Sequence, residues 1–181
     1  SVSALGTHSV SIGSGALANG LGSISIGSYT TGSDTSYNTS TGIYAVAIGQ
    51  SSAIGDFSQA YGFGNKSTGS GSISIGSKNI ANYQGAVAIG SNNRSENSSS
   101  VAIGNAVSAL GPSSFAINQF TLAQGSNSFA GGWSTSALGG NSIAFGVQNM
   151  SNGTCSISLG YKGKADGDNS ISIGRECTSV G

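Results

Sequence analysis

A glycine returns every seven residues along most of this chain. From Gly62 the positions 62, 69, 76 and so on hold phase to Gly181, and 15 of these 18 slots are Gly. The exceptions are Tyr83, Asn97 and Asn118. Asn is the next-best residue at positive φ, so the slots are expected to be left-handed turn positions. A spacing kept over this length is imposed by backbone geometry, since a flexible linker has no reason to hold phase. It predicts a solenoid.

The seven-residue period is not that of a coiled coil. Coiled coils place Leu and Ile at a and d, carry charges at e and g, and do not tolerate a Gly in every heptad. Here the apolar residues sit two apart, as in Val10 and Ile12, Ile24 and Ile26, Val101 and Ile103, or Ile171 and Ile173. Two is the strand period. Each heptad is therefore a short strand and a tight turn. With 31 Gly but a single Pro, and no Gly at every third position, the chain is not collagen-like either.

Neighbouring heptads differ, so the full repeat is 14 residues. One class reads SVSIG, SISIG, AVAIG, SVAIG or SIAFG, ending at the Gly slot. The other has a small residue two before the slot beside a polar one, as at Ala81, Ala123 and Ala165. One repeat is thus one coil of two strands, and the fold class is all-β, a parallel β-roll or solenoid of about 12 coils spanning residues 1–181 as one domain. At about 4.8 Å per coil the roll is expected to be roughly 60 Å long. Alternation is expected to point the Ile, Val and Phe of the first class inward, including Val46, Ile48, Ile73, Ile75, Val87, Ile89, Phe115, Ile117, Ile143, Phe145, Ile157 and Leu159. Ala or Ser of the second class would face them across a thin core.

The first-class strands carry no charged residue and no Asn; all the charges lie elsewhere. A charge-free sheet suits burial against another copy, because no ion is desolvated. Self-association is therefore expected through the outward residues of those strands, Ser11, Ser25, Ala47, Ser74, Ala88, Ala102, Ala116, Ala144, Ser158 and Ser172. The phase breaks between Gly27 and Gly62, and the polar, turn-rich 28–42 stretch is expected to hold a surface loop. The polar 91–100 stretch keeps the phase and is expected to form an outer strand with its turns.

Six basic and six acidic residues cancel, leaving no electrostatic footprint for nucleic acid. No apolar run reaches the roughly 20 residues of a membrane span, and no signal-peptide pattern is visible, which suits a mature or excised segment without membrane contact. Catalysis finds no support: His8 is the one histidine, and no nucleophile elbow or phosphate loop occurs. No cofactor is expected. Asp166, Asp168 and Asn169 form a D-x-D-N run with too few ligands for Ca²⁺ and with Lys162 and Lys164 beside it. Cys155 and Cys177 are one and a half coils apart and are expected at opposite edges, so an intrachain disulfide is disfavoured, with free thiols and an interchain bond both open. N-x-S/T sequons at Asn38, Asn65, Asn93, Asn97, Asn149 and Asn152 are candidate glycosylation sites.

The repeated SVAIG, AVAIG and NSISIG motifs and their A-x-G partner strands resemble the YadA-like head of trimeric autotransporter adhesins. That resemblance implies a left-handed parallel β-roll and a homotrimer. It also implies an extracellular, cell-surface location and adhesion to a host surface protein, glycan or extracellular matrix. Neither neck, heptad stalk nor membrane-anchor barrel is present in the sequence, and the two Cys and the 28–42 insertion depart from the pattern. A structural subunit of a viral or phage fibre, or of an extracellular filament, would use the same roll. Ice binding through a Ser array is a third, minor reading.

Overall fold

The computed structural model describes residues 2–27 and 38–180. These residues form no helix, and every strand pairing between them is parallel. The repeat builds a β-solenoid of about 12 turns, as its sequence period predicts. Two compact units divide the chain, residues 1–92 and 93–181.

Each unit is built from long and short strands in alternation. In the first unit the long strands start at Val10, Ile24, Val46, Gln59, Ile73 and Val87 and pair in that order. In the second they start at Val101, Phe115, Phe129, Ile143, Ile157 and Ile171. Short strands such as Ile80–Ala81 and Leu122–Ala123 form the opposite wall of each unit. Within the second unit the register is in step by one repeat: Ala116 pairs with Ala130 and Ala130 with Ala144. Identical positions therefore stack into rows along each sheet.

The orientation of the long strands is the reverse of the expected one. Ala47, Ala60, Ala88, Ala102, Ala116 and Ala144 are completely buried, as are Ser25, Ser74 and Ser158. The aliphatic residues assigned inward point out: Ile12 is 55% exposed and Ile173 63%. The short strands behave as predicted, with Ala81, Ala123 and Ala165 fully buried. Small residues face small residues, so the two walls nearly touch. Ser74 Oγ on one wall donates to the Lys66 carbonyl on the other at 2.9 Å, and Ser151 Oγ to the Ile143 carbonyl at 2.6 Å. An Ile side chain cannot fit in a gap that a serine hydroxyl spans. That closeness, set by the short coil, decides the orientation.

Asn side chains complete this interior at several of the corners after long strands, while Val107 and Gly163 stand at the equivalent position in others. Asn79 donates through Nδ2 to the carbonyls of Ile75 and Gly90, both at 2.8 Å. Asn65 Oδ1 in turn accepts the Asn79 amide at 3.0 Å. Asn149 does the same work in the second unit. The corner turns the backbone away from its ladder, and the amide satisfies the carbonyls and N–H that the turn would leave buried without partners.

The glycine slots are of two kinds, which corrects the expectation of a single one. Slots ending long strands adopt positive φ, and Asn118 at such a slot has φ 82°. Slots ending short strands do not, and neither Tyr83 nor Asn97 has a positive φ. Their glycines answer to close stacking: a Cβ on Gly125 would lie 1.9 Å from the carbonyl oxygen of Gly139 in the next coil. The left-handed residue recurs two positions past the slots, for example at Tyr44, Phe57, Lys78, Phe120 and Glu176. Gly125→Ala is therefore expected to destabilise the fold by about 3 kcal/mol through overpacking. Gly140→Ala, where a Cβ meets nothing nearer than 4.0 Å, is expected to be neutral or slightly stabilising. Thermal melts of the two variants check the contrast, and equal melting temperatures would contradict it.

The phase break has a local cause at one corner. Ile24 pairs with Val46, so the extra residues fall between these two strands in the sequence. Residues 28–37 of the expected loop lie outside the described residues. Residues 38–42 belong to the roll: Asn38 is buried and Thr39–Ser40 pairs with Leu17–Ala18. The next turn is one residue short, and a register shift between Gln50 and Ser52 absorbs the deficit. Ser51 then fills the Asn position and donates to the Gly62 carbonyl at 3.0 Å.

Candidate functional site: an apolar sheet face

Because the small residues of SVAIG face inward, its Val and Ile face out. In the second unit one outward row runs Val101, Phe115, Phe129, Ile143, Ile157, Ile171. The other runs Ile103, Ile117, Gly131, Phe145, Leu159, Ile173. The first unit presents the equivalent rows from Val10 to Val87 and Ile12 to Ile89. All of these side chains are half-buried or exposed, and none is charged. A monomeric soluble protein rarely leaves an apolar surface this regular in water.

The face is packed as well as apolar. Phe115 and Phe129 stack with ring centroids 5.5 Å apart, and Phe129 and Phe145 at 6.1 Å. Gly131 makes room for the last of these rings: a Cβ there would lie 2.7 Å from Phe145 Cδ2. In the first unit, Gln59 and Tyr61 stand in the outward rows, and the Tyr61 hydroxyl donates to Gln59 Oε1 at 3.0 Å. Burial pushes the Tyr61 phenol above its ordinary pKa.

The opposite, short-strand face carries the charges, set among apolar residues such as Ile80, Leu122 and Met150. Lys66, Arg94 and Lys164 project from it, with Arg94 paired to Glu96 and Lys164 Nζ to Asp166 Oδ2 at 2.9 Å. The Lys164 hydrogen bond holds Asp166 below the usual carboxylate range. The 91–100 stretch is part of this wall through Arg94–Ser95, followed by its turn, as its phase predicts.

The residues expected at the interface sit elsewhere. Ser25, Ala47, Ser74, Ala88, Ala102, Ala116, Ala144, Ser158 and Ser172 are interior residues of a single chain, and Ser11 is half-buried. They line the core, and their Val, Ile and Phe neighbours form the surface. The signal that picked these strands, their lack of charge, applied to both faces of the sheet and could not tell them apart.

Four sequons are likewise structural. Asn38, Asn65, Asn93 and Asn149 are buried, and the last three hold corner carbonyls. An amide engaged there is out of reach of a glycosyltransferase in the folded chain. Asn97 and Asn152 are half-exposed, with their amides on the Leu110 carbonyl and on Asp166. Cys155 lies in the turn after a short strand and Cys177 after a long one, and the two are not bonded to each other. Asp168 Oδ1 accepts the Thr154 amide at 2.7 Å, so the D-x-D-N run braces a turn. His8 occupies one of the left-handed turn positions and is exposed. Among the described residues no group of His, Cys, Asp and Glu could hold a metal ion. Among the described residues no helix is long and apolar enough to cross a membrane.

A parallel roll with a thin Ala and Ser core and outward aliphatic rows on its long strands is a β-solenoid. The YadA head domain repeat matches residues 4–30, 67–93, 81–106, 123–149 and 151–176, more than half of the chain. The chain belongs to the YadA head family. Heads of this family are surface-exposed adhesins, generally non-enzymatic, that form homotrimers. Comparison with curated proteins gave no match.

Proposed function

We propose that this chain is the adhesive head of a trimeric surface fibre. Three copies associate through the outward Val, Ile and Phe rows of their long strands, and the charge-bearing short-strand walls face host protein or glycan. The apolar rows carry this reading. Burying the exposed half of an aliphatic side chain is worth about 1 kcal/mol, and two rows of them offset an association cost of about 4–15 kcal/mol. No charge has to be desolvated on the way. The charged wall, with its exposed Lys66, Arg94 and Lys164, is the surface left to meet water and ligand. The family's surface location and adhesin role support the extracellular assignment.

Light scattering is expected to return three times the 17.6 kDa chain mass. The trimer is expected to bind saturably to at least one member of a panel of matrix proteins and cell-surface glycans. A species of 17.6 kDa whose melting temperature is unchanged on dilution rejects the assembly. A trimer that binds nothing on the panel rejects the adhesive role alone.

A further inference from the structure

The outward rows of the first unit are so repetitive that they pose an alignment problem. Val10, Ile24, Val46, Ile73 and Val87 occupy one row, and Ile12, Ile26, Ile48, Ile75 and Ile89 the other. A second copy displaced by one turn, about 4.8 Å, would bury nearly the same surface. Hydrophobic attraction is non-directional and hardly penalises that slip. A solenoid interface made only of such rows has several registers of similar energy.

One turn breaks the pattern in both rows at once. Gln59 pairs with Val46 and Ile73, and Tyr61 with Ile48 and Ile75, so the two polar residues replace two aliphatic ones. Both are half-buried in a single chain already. The Tyr61 hydroxyl spends its proton on Gln59 Oε1. What remains is the Gln59 amide Nε2, a donor, and a lone pair on Tyr61 Oη, an acceptor. These are complementary between copies. The irregular Phe129, Gly131 and Phe145 positions of the second unit differ, because the gap at Gly131 is filled by the same chain's Phe145 and offers a partner no hole.

We propose that Gln59 and Tyr61 form a polar layer between the copies that fixes their axial register. It rests on the assembly through this face described above. Gln59 Nε2 of each copy donates to Tyr61 Oη of the next, a ring that closes with every copy giving and receiving one bond. A slip of one turn sets the pair against Val46 and Ile48, or Ile73 and Ile75, and leaves its polar atoms buried without partners. An isolated polar residue in the seam of a coiled coil selects register by the same penalty.

The test uses the full chain with Tyr61→Phe, Gln59→Ile and the double variant, each followed by light scattering and thermal melting. Register is read in a Cys155→Ser/Cys177→Ser background by refolding an Ile75→Cys chain together with an Ile89→Cys chain. A disulfide between the two different chains reports a one-turn slip, and one between like chains reports alignment. Each single variant is expected to remain trimeric but melt a few degrees lower, because it strands its partner's polar atoms. The double variant is expected to recover at least the parental melting temperature while the mixed disulfide rises several-fold. Trimeric single variants that melt like the parent, or a double variant without extra mixed disulfide, overturn the polar layer alone. A parent chain of 17.6 kDa overturns the assembly beneath it as well.

Discussion

Ile117→Asp is expected to convert the assembly into folded monomers. The mass by light scattering should fall from three chains to 17.6 kDa, with the β spectrum retained. Ile117 stands in an outward row between Ile103 and Gly131 and is half-exposed in the single chain. Its carboxylate is hydrated in the monomer and desolvated at the interface, where removing an ion from water costs several kcal/mol. Symmetry repeats that cost in each copy. One residue earlier the outcome differs in kind. Ala116 is completely buried within the chain, so Ala116→Asp places an unpaired charge in the core and is expected to abolish folding. Gln124→Asp, on the exposed side of a short strand, is expected to change neither mass nor melting. An Ile117→Asp protein that stays trimeric, or a well-folded Ala116→Asp protein, would show that the orientation of the long strands is wrong.

Asn149→Leu is expected to be the most costly near-isosteric change in the second unit. Asn149 Nδ2 donates to the carbonyls of Phe145 and Gly160, both at 2.6 Å, and its Oδ1 accepts the Gly163 amide at 2.6 Å. Leucine fills the space and leaves three buried backbone groups without partners. At about 1–3 kcal/mol for each unsatisfied group, the loss is about 3–9 kcal/mol. For a chain of this size each kcal/mol moves the melting temperature by about 2–4 °C. Asn152→Leu, at a half-exposed position where water can replace the lost partner, serves as control and is expected to cost far less. Equal melting of the two variants would remove the corner amides from the account of stability.

These two results separate what the chain's one-dimensional pattern contains from what three dimensions add. The period of Gly62, Gly69, Gly76 and their successors required a corner every seven residues, because the coil closes only if the backbone turns there. The alternation in SVAIG required strands, and the two kinds of heptad required two walls per coil. The absence of charge in the long strands set one wall apart from the other. All of this follows from local backbone preference and repeat length, which the sequence states directly.

Which face of that wall points inward is not a local property. Alternation gives two faces, one of Ser and Ala and one of Ile and Val, and the usual preference for burying the larger residues selects the wrong one here. The choice is made by the distance between the walls, and that distance follows from coil closure. Ser74 Oγ reaching the Lys66 carbonyl across the core is the measure of it. The same closeness turns Asn65, Asn93 and Asn149 from apparent surface sequons into interior corner braces. It also makes Gly125 a matter of stacking, while Asn118 remains one of backbone conformation. The sequence by itself determined the solenoid, its period and the wall that carries no charge. Only the packing of one coil on the next, and of one wall against the other, decided that the Ile and Val rows are the surface.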